Sequence, residues 1–212
     1  MICISIADKN PDSCLGSIEK VDMAEIRLDL TEYDEATICK VFSQRKKLIA
    51  TCRPAKYSDA ERQKKLEIAI ASGATFVDIE YESTPEFRNH MIDFAHNHQC
   101  EVIISYHNYK ETPELAALES IMYGCYEMGA DVAKIATMVN VNRDNSKILS
   151  LYKAPGRLVA IGMGDLGKIS RIVAPFLGAE FTFASLSENE STAPGQISYD
   201  KLSQFILEIQ QI

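Results

Sequence analysis

Short runs of hydrophobic residues recur along the chain, each five to seven residues long and rich in Val, Ile, Phe and Thr. Polar or glycine-containing segments bound each run, which is typical of β-strands. Eight such runs are present, at residues 2–7, 24–30, 48–52, 75–80, 101–107, 132–137, 157–163 and 181–186. The pattern therefore predicts eight strands of similar length.

Segments between these runs carry hydrophobic residues at helical spacing, and predict helices over residues 59–73, 84–98, 112–129, 142–152 and 197–212. Two of them open with Thr-Pro-Glu, in which the threonine can cap the helix and the proline suits its first turn. Two end in a glycine, Gly73 and Gly129, as helices commonly do. The last helix is expected to bury one hydrophobic face, formed by Leu202, Phe205, Ile206 and Ile209.

Eight strands that alternate with helices indicate parallel βαβ units. Eight units favour a closed α/β fold, the (β/α)₈ TIM barrel, over an open sheet. At 212 residues the barrel would be compact, because the fold has a lower limit of ~200 residues. The sequence has no linker or low-complexity segment, so residues 1–212 are expected to form a single domain.

The composition is that of an ordinary globular protein, with 46% hydrophobic and 25% charged residues. The formal net charge of −8 argues against nucleic acid as a partner but does not exclude a small anionic substrate. The start, MICISIADKN, lacks the basic leader of a signal peptide, and no hydrophobic run approaches the ~20 residues of a membrane span. We therefore expect a cytoplasmic protein without a nucleic-acid or membrane partner.

Neither the cysteines nor the histidines have the spacing of a metal site. His90, His96 and His98 lie on one predicted helix at intervals that fit no common site, and we expect them on its surface. The cysteines form no Cys-x-x-Cys pair, and we interpret them as reduced, mostly buried thiols. They are Cys3, Cys14, Cys39, Cys52, Cys100 and Cys125.

Ionisable residues lie near the carboxyl ends of five neighbouring predicted strands. In a barrel these ends meet at the active-site mouth. An isolated charge is costly to bury, so each of these groups must be paired or functional. One interpretation is a polar barrel core with satisfied salt bridges, and the other is an active site. The residues are Glu25, Arg27, Asp29, Arg53, Asp78, Glu80, His107 and Lys134, with Ser105 on the same face as His107.

Lys134 is the sharpest case, because it shares a strand face with Val132, Ala136 and Met138. Desolvation there would favour a neutral amine, which can attack a carbonyl and form an imine. In the other interpretation its stem packs in the core while its head pairs with Glu25 or Glu80.

His107 lies on the strand before Lys134 and can move protons near neutral pH. The two residues could therefore act on one substrate. The alternative for a strand histidine is a satisfied core or rim residue.

Two loops could complete a mouth of this kind. The stretch GMGDLGKISR, residues 162–171, resembles an anion cradle at the start of a helix. Arg171 could then bind a carboxylate or phosphate by two hydrogen bonds. Its alternative is a glycine-rich turn with a solvated arginine. The polar loop 187–196 reads as a lid that supplies Thr192 and Gln196, or as a surface loop without substrate contact.

The chain resembles the type I 3-dehydroquinate dehydratase family over nearly its whole length. The resemblance rests on the joint order and spacing of several motifs. They are EIRLDL (25–30), TCRP (51–54), DIEY (78–81), SYHNYKETP (105–113), AKIATM (133–138), GMGDLGKISR (162–171) and STAPGQIS (191–198).

This resemblance implies a barrel enzyme that dehydrates 3-dehydroquinate to 3-dehydroshikimate without metal or added cofactor, and it suggests a homodimer. By analogy, Lys134 forms a Schiff base with the substrate ketone and His107 transfers protons. Arg171 would hold the substrate carboxylate. Other substrate contacts are implied for Ser5, Glu25, Arg27, Arg53, Thr192 and Gln196.

The chain departs from the family pattern at three positions. Tyr57 stands where the family usually has a glutamate that orients the histidine, so Asp59, Glu61 or Glu80 would have to substitute for it. Thr192 replaces a serine and keeps the hydroxyl, and Val139 replaces a proline.

Two other functions remain open at this stage. One is a class I aldolase, an imine-forming barrel that cleaves a carbon–carbon bond, with residues 162–171 as its phosphate cradle. The other is a barrel that binds or senses a metabolite without catalysis. The presence of both Lys134 and His107 argues against a barrel that only binds a metabolite. The charges on the strand at 24–30 argue against the aldolase, because they suit a hydroxylated carboxylate as substrate better than a phosphate.

Overall fold

The computed structural model describes residues 1–54, 56–188 and 190–211. Within these residues the chain forms eight strands, and all eight predicted strands are present to within three residues at either end. They are β1 (Ile2–Ile6), β2 (Met23–Arg27), β3 (Lys47–Thr51), β4 (Phe76–Glu80), β5 (Glu101–Asn108), β6 (Val132–Met138), β7 (Leu158–Met163) and β8 (Thr182–Ser185).

All neighbouring strands pair in parallel, in the order β7-β6-β5-β4-β3-β2-β1-β8. The sheet curls into a nearly closed barrel, with β7 and β8 at its two edges. One backbone hydrogen bond crosses the bottom of that gap, from the N–H of Glu180 to the carbonyl of Leu158 at 3.0 Å. The (β/α)₈ barrel expected from the sequence is confirmed.

Helices follow the strands and cover the outside of the barrel. They are α1 (Pro11–Glu19), α2 (Glu35–Phe42), α3 (Asp59–Ala71), α4 (Pro85–Asn97), α5 (Leu115–Glu127), α6 (Asn142–Ser150), α7 (Lys168–Val173) and α8 (Tyr199–Gln210). Side-chain caps start several of them: Asn10 caps α1, Asp34 caps α2, and Ser58 forms a reciprocal capping box with Glu61 at α3.

Two sequence-based boundaries need correction, and two predicted segments extend onto residues that the structure does not describe. The helix expected from residue 112 begins at Leu115, because the Thr112 hydroxyl donates to the Met138 carbonyl at 2.7 Å instead of capping the helix. The strand expected over 24–30 ends at Arg27, so Asp29 lies in the turn that follows. Asn189 of the predicted loop 187–196 and Ile212 of the predicted helix 197–212 lie outside the described residues.

The last helix buries less of its hydrophobic face than the spacing predicts. Leu202 is fully buried and Ile206 packs against the core, but Phe205 and Ile209 are 37% and 43% exposed. Among the described residues, no helix is both long and apolar enough to cross a lipid bilayer.

Alternate residues of each strand point into the barrel, as parity requires. The inward set forms a compact apolar cluster that fills the lower barrel, including Cys3, Met23, Ile49, Val132 and Ala136. Three phenylalanines form its centre, with ring centroids 5.9 Å apart for Phe76 and Phe181 and 5.5 Å apart for Phe181 and Phe183. This aromatic floor lies beneath the polar residues of the upper barrel.

The outward residues, such as Ile4, Leu48 and Ile104, pack against the helices in a larger second cluster. Five of the six cysteines are buried and all six are free thiols, with Cys39 exposed, in agreement with the expected mostly buried thiols. Lys134 shares the parity of Val132 and Ala136, and therefore points into the barrel above the aromatic floor.

Candidate active site

A pocket opens at the carboxyl ends of the strands, with about 470 Å³ of space not occupied by atoms. Eight of the nine residues predicted for the site line it: Glu25, Arg27, Arg53, His107, Lys134, Arg171, Thr192 and Gln196. Apolar side chains complete the wall, among them Ala136, Ile161, Met163 and Phe183. Polar and charged side chains thus make up more of this wall than in the usual, mostly apolar small-molecule site, which suits a polar ligand.

Lys134 lies at the centre of the upper barrel and is 4% exposed. Its Nζ donates to Asp78 Oδ2 at 2.9 Å and to Glu25 Oε1 at 3.5 Å. On the apolar side, Nζ lies 4.3 Å from the centroid of the Phe183 ring. The nitrogen therefore lies between two carboxylates on one side and an aromatic ring on the other. The pairing interpretation holds for Glu25, but the second partner is Asp78, not Glu80.

Asp78 joins Lys134 to Arg53. The two Nη atoms of Arg53 donate to the two oxygens of Asp78, at 2.8 and 3.1 Å, and the Ser105 hydroxyl donates to Asp78 at 2.6 Å. Burial opposes ionisation, but Arg53 and Lys134 outweigh it and hold the pKa of Asp78 well below its usual range. Asp78 is therefore an anion that fixes both cations.

Glu25 is the second buried anion of the site, on β2. It accepts hydrogen bonds from the hydroxyls of Ser5 at 2.6 Å and Thr51 at 2.9 Å. Burial would raise the pKa of Glu25, but the neighbouring cations, Lys134 foremost, lower it to about 2. Its carboxylate is thus charged at neutral pH and adds to the negative field around Lys134.

His107 lies on β5, with its side chain 12% exposed. Its Nδ1 is 3.2 Å from Glu80 Oε2, and its ring stacks on that of Tyr109 with centroids 6.0 Å apart. Burial, followed by the charge of Arg53, lowers the pKa of His107 below its usual value, although Glu80 acts in the opposite direction. The imidazole is therefore neutral near pH 7 and able to accept a proton.

Arg171 is the other predicted cation, and it is 1% exposed instead of solvated. One Nη donates to the Phe183 carbonyl at 3.3 Å, while Nε has no hydrogen-bond partner among the described residues. In the described ranges no carboxylate pairs with it, and burial lowers the pKa of its guanidinium to about 10. An unpaired buried guanidinium at a pocket wall is a ready site for an anion.

The glycines of residues 162–167 serve close packing between loops. A Cβ on Gly162 would fall 2.9 Å from the Cα of Gly167, and one on Gly164 would strike the sulfur of Met138. The N–H of Gly164 donates to the Pro194 carbonyl at 3.2 Å, which joins this loop to the loop after β8. The N–H of Gly164 is therefore engaged between two loops, and the anion cradle expected for residues 162–171 stays a prediction.

The loop after β8 reaches the mouth of the pocket, with Thr192, Ala193 and Gln196 on its wall, and its role as a lid stays a prediction. The N–H of Thr192 donates to Gln196 Oε1 at 2.8 Å, and Gln196 Nε2 donates back to Thr192 Oγ1 at 3.2 Å. Thr192 and Gln196 are thus held as one unit beside the pocket.

Arg27 and Ser5 complete the set of predicted residues. Asp29 holds Arg27 by two hydrogen bonds, at 3.0 and 2.7 Å, so the guanidinium is fixed at the pocket edge. Ser5 is 1% exposed and donates to Glu25. Its side chain supports Glu25 and borders a neighbouring cleft that includes Thr192, instead of lining the pocket that holds Lys134.

Sequence reasoning did not select every residue of the site. Asp78 lies at a strand end that the sequence singled out, but its central position between Lys134 and Arg53 was not foreseen. Phe183 and Met163 come from predicted strands and lay outside the chosen set, and Tyr109 lies two residues beyond His107. Strand parity could have pointed to Tyr109, which is two residues from His107, whereas Phe183 and Met163 lie on other strands, whose register the sequence does not give.

The three histidines of α4 have individual partners on the surface. His90 contacts Glu67 at 2.6 Å, His96 contacts Asp131 at 3.0 Å, and His98 contacts the Phe94 carbonyl at 2.8 Å. Across the ranges that the structure describes, no group of three or more His, Cys, Asp or Glu is placed to hold a metal ion.

Comparison with known proteins supplies the relatives of this chain. The family model for type I 3-dehydroquinase matches residues 2–212. A 3-dehydroquinate dehydratase from Methanococcus maripaludis (strain C7) is 35% identical over 217 residues, which cover 97% of this chain and 98% of that protein.

Solved structures agree with the sequence matches. The 3-dehydroquinate dehydratase of Aquifex aeolicus superposes with a TM-score of 0.84 at 26% identity and covers 98% of both chains. The type I 3-dehydroquinate dehydratase of Clostridium difficile superposes with a TM-score of 0.87 at 24% identity, covering 99% of this chain and 92% of its own.

Fold and site together define a (β/α)₈-barrel enzyme that works at the carboxyl ends of its strands. The matches extend over nearly the full length of the chain, so they apply to the whole barrel and not to one motif. The chain belongs to the type I 3-dehydroquinase family. The family and the hydro-lyase class expected from the sequence are confirmed.

Proposed function

We propose that this enzyme dehydrates 3-dehydroquinate to 3-dehydroshikimate through a Schiff base on Lys134, as a step of the shikimate pathway. The observation that carries the proposal is the convergence of three groups on one pocket. Lys134 supplies an amine, His107 a neutral imidazole, and Arg171 a cation without a carboxylate partner among the described residues. These groups suit a small hydroxylated carboxylate that carries a ketone.

The chemistry starts at the amine. Lys134 Nζ attacks the substrate ketone, and loss of one water from the carbinolamine gives an imine that is protonated on nitrogen. The protonated imine withdraws electrons and acidifies the adjacent carbon. His107 removes a proton from that carbon and returns it to the leaving hydroxyl, which departs as water. Hydrolysis of the product imine consumes one water and regenerates the free lysine.

The ion-pair network around Lys134 fits both charged states of its nitrogen. An ammonium and a protonated imine each carry one positive charge, so Glu25 and Asp78 face a cation before and after the imine forms. The site therefore stabilises the iminium without reorganising, which is the most effective form of electrostatic catalysis. The amine must still shed one proton before it attacks, and the neutral His107 is a suitable acceptor.

The remaining pocket residues suit the other groups of the substrate. Arg171 would bind the carboxylate by two hydrogen bonds, satisfying the Nε that has no partner among the described residues. Arg27, fixed by Asp29, and the paired Thr192 and Gln196 would bind hydroxyls. Such fixed donors provide orientation without further loss of side-chain entropy on binding.

Borohydride trapping tests the proposal directly. The enzyme is treated with 3-dehydroquinate and borohydride and then examined by mass spectrometry, and a reduced adduct is expected on Lys134. Substrate-free enzyme and the Lys134→Met variant serve as controls and should stay unmodified. Absorbance of the conjugated enone product follows turnover in parallel. An unmodified Lys134 under turnover conditions would refute the mechanism, and an absence of enone would refute the substrate.

The cellular context is a separate part of the proposal. A cytoplasmic location is supported by six free cysteines, five of them buried, which suit a reducing compartment. The homodimer rests on the family resemblance, and a light-scattering mass of one chain would reject it.

A further inference from the structure

The described residues of the loop after β3 do not supply a carboxylate to His107. Tyr57, which replaces the usual glutamate, donates from its hydroxyl to the Thr31 carbonyl at 3.3 Å, and the Nζ of Lys65 lies 4.9 Å from its ring centroid. Asp59 accepts from Arg62 at 2.7 Å, and Glu61 accepts from the N–H of Ser58 at 2.9 Å. Both candidate carboxylates of this region, Asp59 and Glu61, are therefore engaged elsewhere, as is Tyr57.

Glu80, at the end of β4, takes that position instead. Its Oε2 is 3.2 Å from His107 Nδ1, and its Oε1 is 2.7 Å from an Nη of Arg53. Burial raises the pKa of Glu80, but His107 and Arg53 more than offset this and lower it. Glu80 is therefore an anion that accepts the Nδ1 hydrogen, which leaves the lone pair on Nε2 of His107.

A second opening lies on the Glu80 side of the histidine. This cleft holds about 760 Å³ of space not occupied by atoms. Its residues are Pro54, Asp59, Arg62, Glu80, Glu82, Ser83, Thr84, His107 and Tyr109. Of the described residues of this cleft, only His107 and Tyr109 also line the pocket of Lys134. These two stacked rings therefore form the wall between the pocket and the cleft.

We propose that Glu80 is the positioning residue of His107, and that the cleft gives small solutes access to this pair from the side opposite the substrate. The inference rests on the proposed function and adds to it the carboxylate that orients the base. Solvent would reach Glu80 through the cleft while substrate fills the pocket.

Chemical rescue exploits this geometry. Glu80→Ala leaves a space that opens on the cleft, and formate is small enough to enter it and accept the Nδ1 hydrogen. We expect kcat of Glu80→Ala to fall by ~10²-fold, the lower end of what proton transfer contributes, with KM changed far less. Formate should restore part of kcat in a concentration-dependent way, and should do nothing for His107→Ala.

Glu82→Ala is the matched control, because Glu82 borders the same cleft without a described hydrogen bond to His107. It should keep wild-type kcat and show no response to formate. Circular dichroism and thermal unfolding of both variants check that they fold.

Glu80→Gln gives a second readout that does not depend on the space left by alanine. Two cations near His107, Arg53 and Lys134, lower its pKa, whereas Glu80 raises it. The charge of Asp78 also interacts with His107, and the ring of Tyr109 stacks on the imidazole. Loss of the Glu80 charge should therefore lower the pKa of His107 further. Since the neutral imidazole is the base, the acidic limb of kcat/KM should move to lower pH.

Several results would overturn the proposal. Wild-type kcat in Glu80→Ala would do so, as would a defect confined to KM, which would place the effect on Arg53. A kcat defect without formate rescue, together with an unmoved acidic limb in Glu80→Gln, would do so as well. Failure of the proposed function is distinguishable, because wild-type enzyme would then give no enone and no adduct, whereas Glu80→Ala should still form the adduct on Lys134.

Discussion

Replacement of Arg171 by methionine should make the protein more stable and less active. The side chain is 1% exposed. Among the described residues, its guanidinium donates one hydrogen bond, to the carbonyl of Phe183 at 3.3 Å. Methionine has a similar length and no charge, so it can fill the space without the cost of a buried, unpaired ion. The substrate carboxylate would meanwhile lose its clamp.

The magnitude follows from the cost of burial. Burial lowers the pKa of Arg171 from its ordinary 12.5 to about 10, which corresponds to about 3 kcal/mol against the charged form. Both values lie above pH 7, so the group is charged in the folded and unfolded states and the full cost applies at neutral pH. Because methionine packing is imperfect, we expect about 1–3 kcal/mol of added stability. Loss of a charged two-hydrogen-bond contact should lower kcat/KM by ~10²-fold, mainly through KM.

Denaturant unfolding without ligand measures the stability change, and steady-state kinetics measures KM. Arg62→Met is the matched control, because Arg62 is 2% exposed but paired with Asp59 at 2.7 Å and with the Cys52 carbonyl at 2.9 Å. That variant should be destabilised, since it leaves the carbonyl of the buried Cys52 without this hydrogen bond. An Arg171→Met protein that is less stable than wild type and keeps its KM would refute the reasoning.

Three other predictions concern His107, Lys134 and the loop after β8. The acidic limb of kcat/KM should fall below pH ~6.5, because burial and Arg53 lower the pKa of His107 and the neutral form is active; a limb above pH 7 in the pH–rate profile would contradict this. Lys134→Met should lose turnover by more than ~10⁴-fold yet remain folded by circular dichroism, and residual turnover near wild type would exclude the Schiff base. Gly195→Ala should lower kcat/KM at least ~10-fold, because a Cβ would collide with the Gly164 backbone and alanine is strained at a φ of 76°; unchanged kinetics would show that this contact is dispensable.

Strands were easier to predict than helices in this chain. A buried strand such as Val132–Met138 is a nearly continuous hydrophobic run, so its position is visible in the sequence. The helices α1, α2 and α7 were missed; they have 9, 8 and 6 residues, and a short helix gives little periodic pattern, although α6, also of 9 residues, was predicted. Thr112 misled the prediction of α5, because its hydroxyl is used in a contact with β6 that only the fold creates.

The inward direction of Lys134 and His107 could be predicted from strand parity, but their partners could not. Asp78 reaches Lys134 from a residue 56 positions away, whereas the sequence-based expectation named Glu80 as the alternative to Glu25. Strand parity correctly predicts that Ser5 points into the barrel. Its hydroxyl is hydrogen-bonded to Glu25, however, and Ser5 does not line the pocket. Arg171 read equally well as solvated or functional, because burial of a helix residue depends on the loops that cover it.

The edge between β7 and β8 has a dynamic consequence. The described residues of these strands form no ladder with each other, and backbone hydrogen bonds join the two sides only beyond the strands, at Glu180 and Leu158 below and at Gly164 and Pro194 above. Regions with few backbone hydrogen bonds to their neighbours exchange amide hydrogens first. Arg171 lies on one side of this edge and Thr192 on the other, so a ligand that bridges them would slow exchange across the last βα unit. Local opening of the barrel at this edge would therefore be least frequent while substrate is bound.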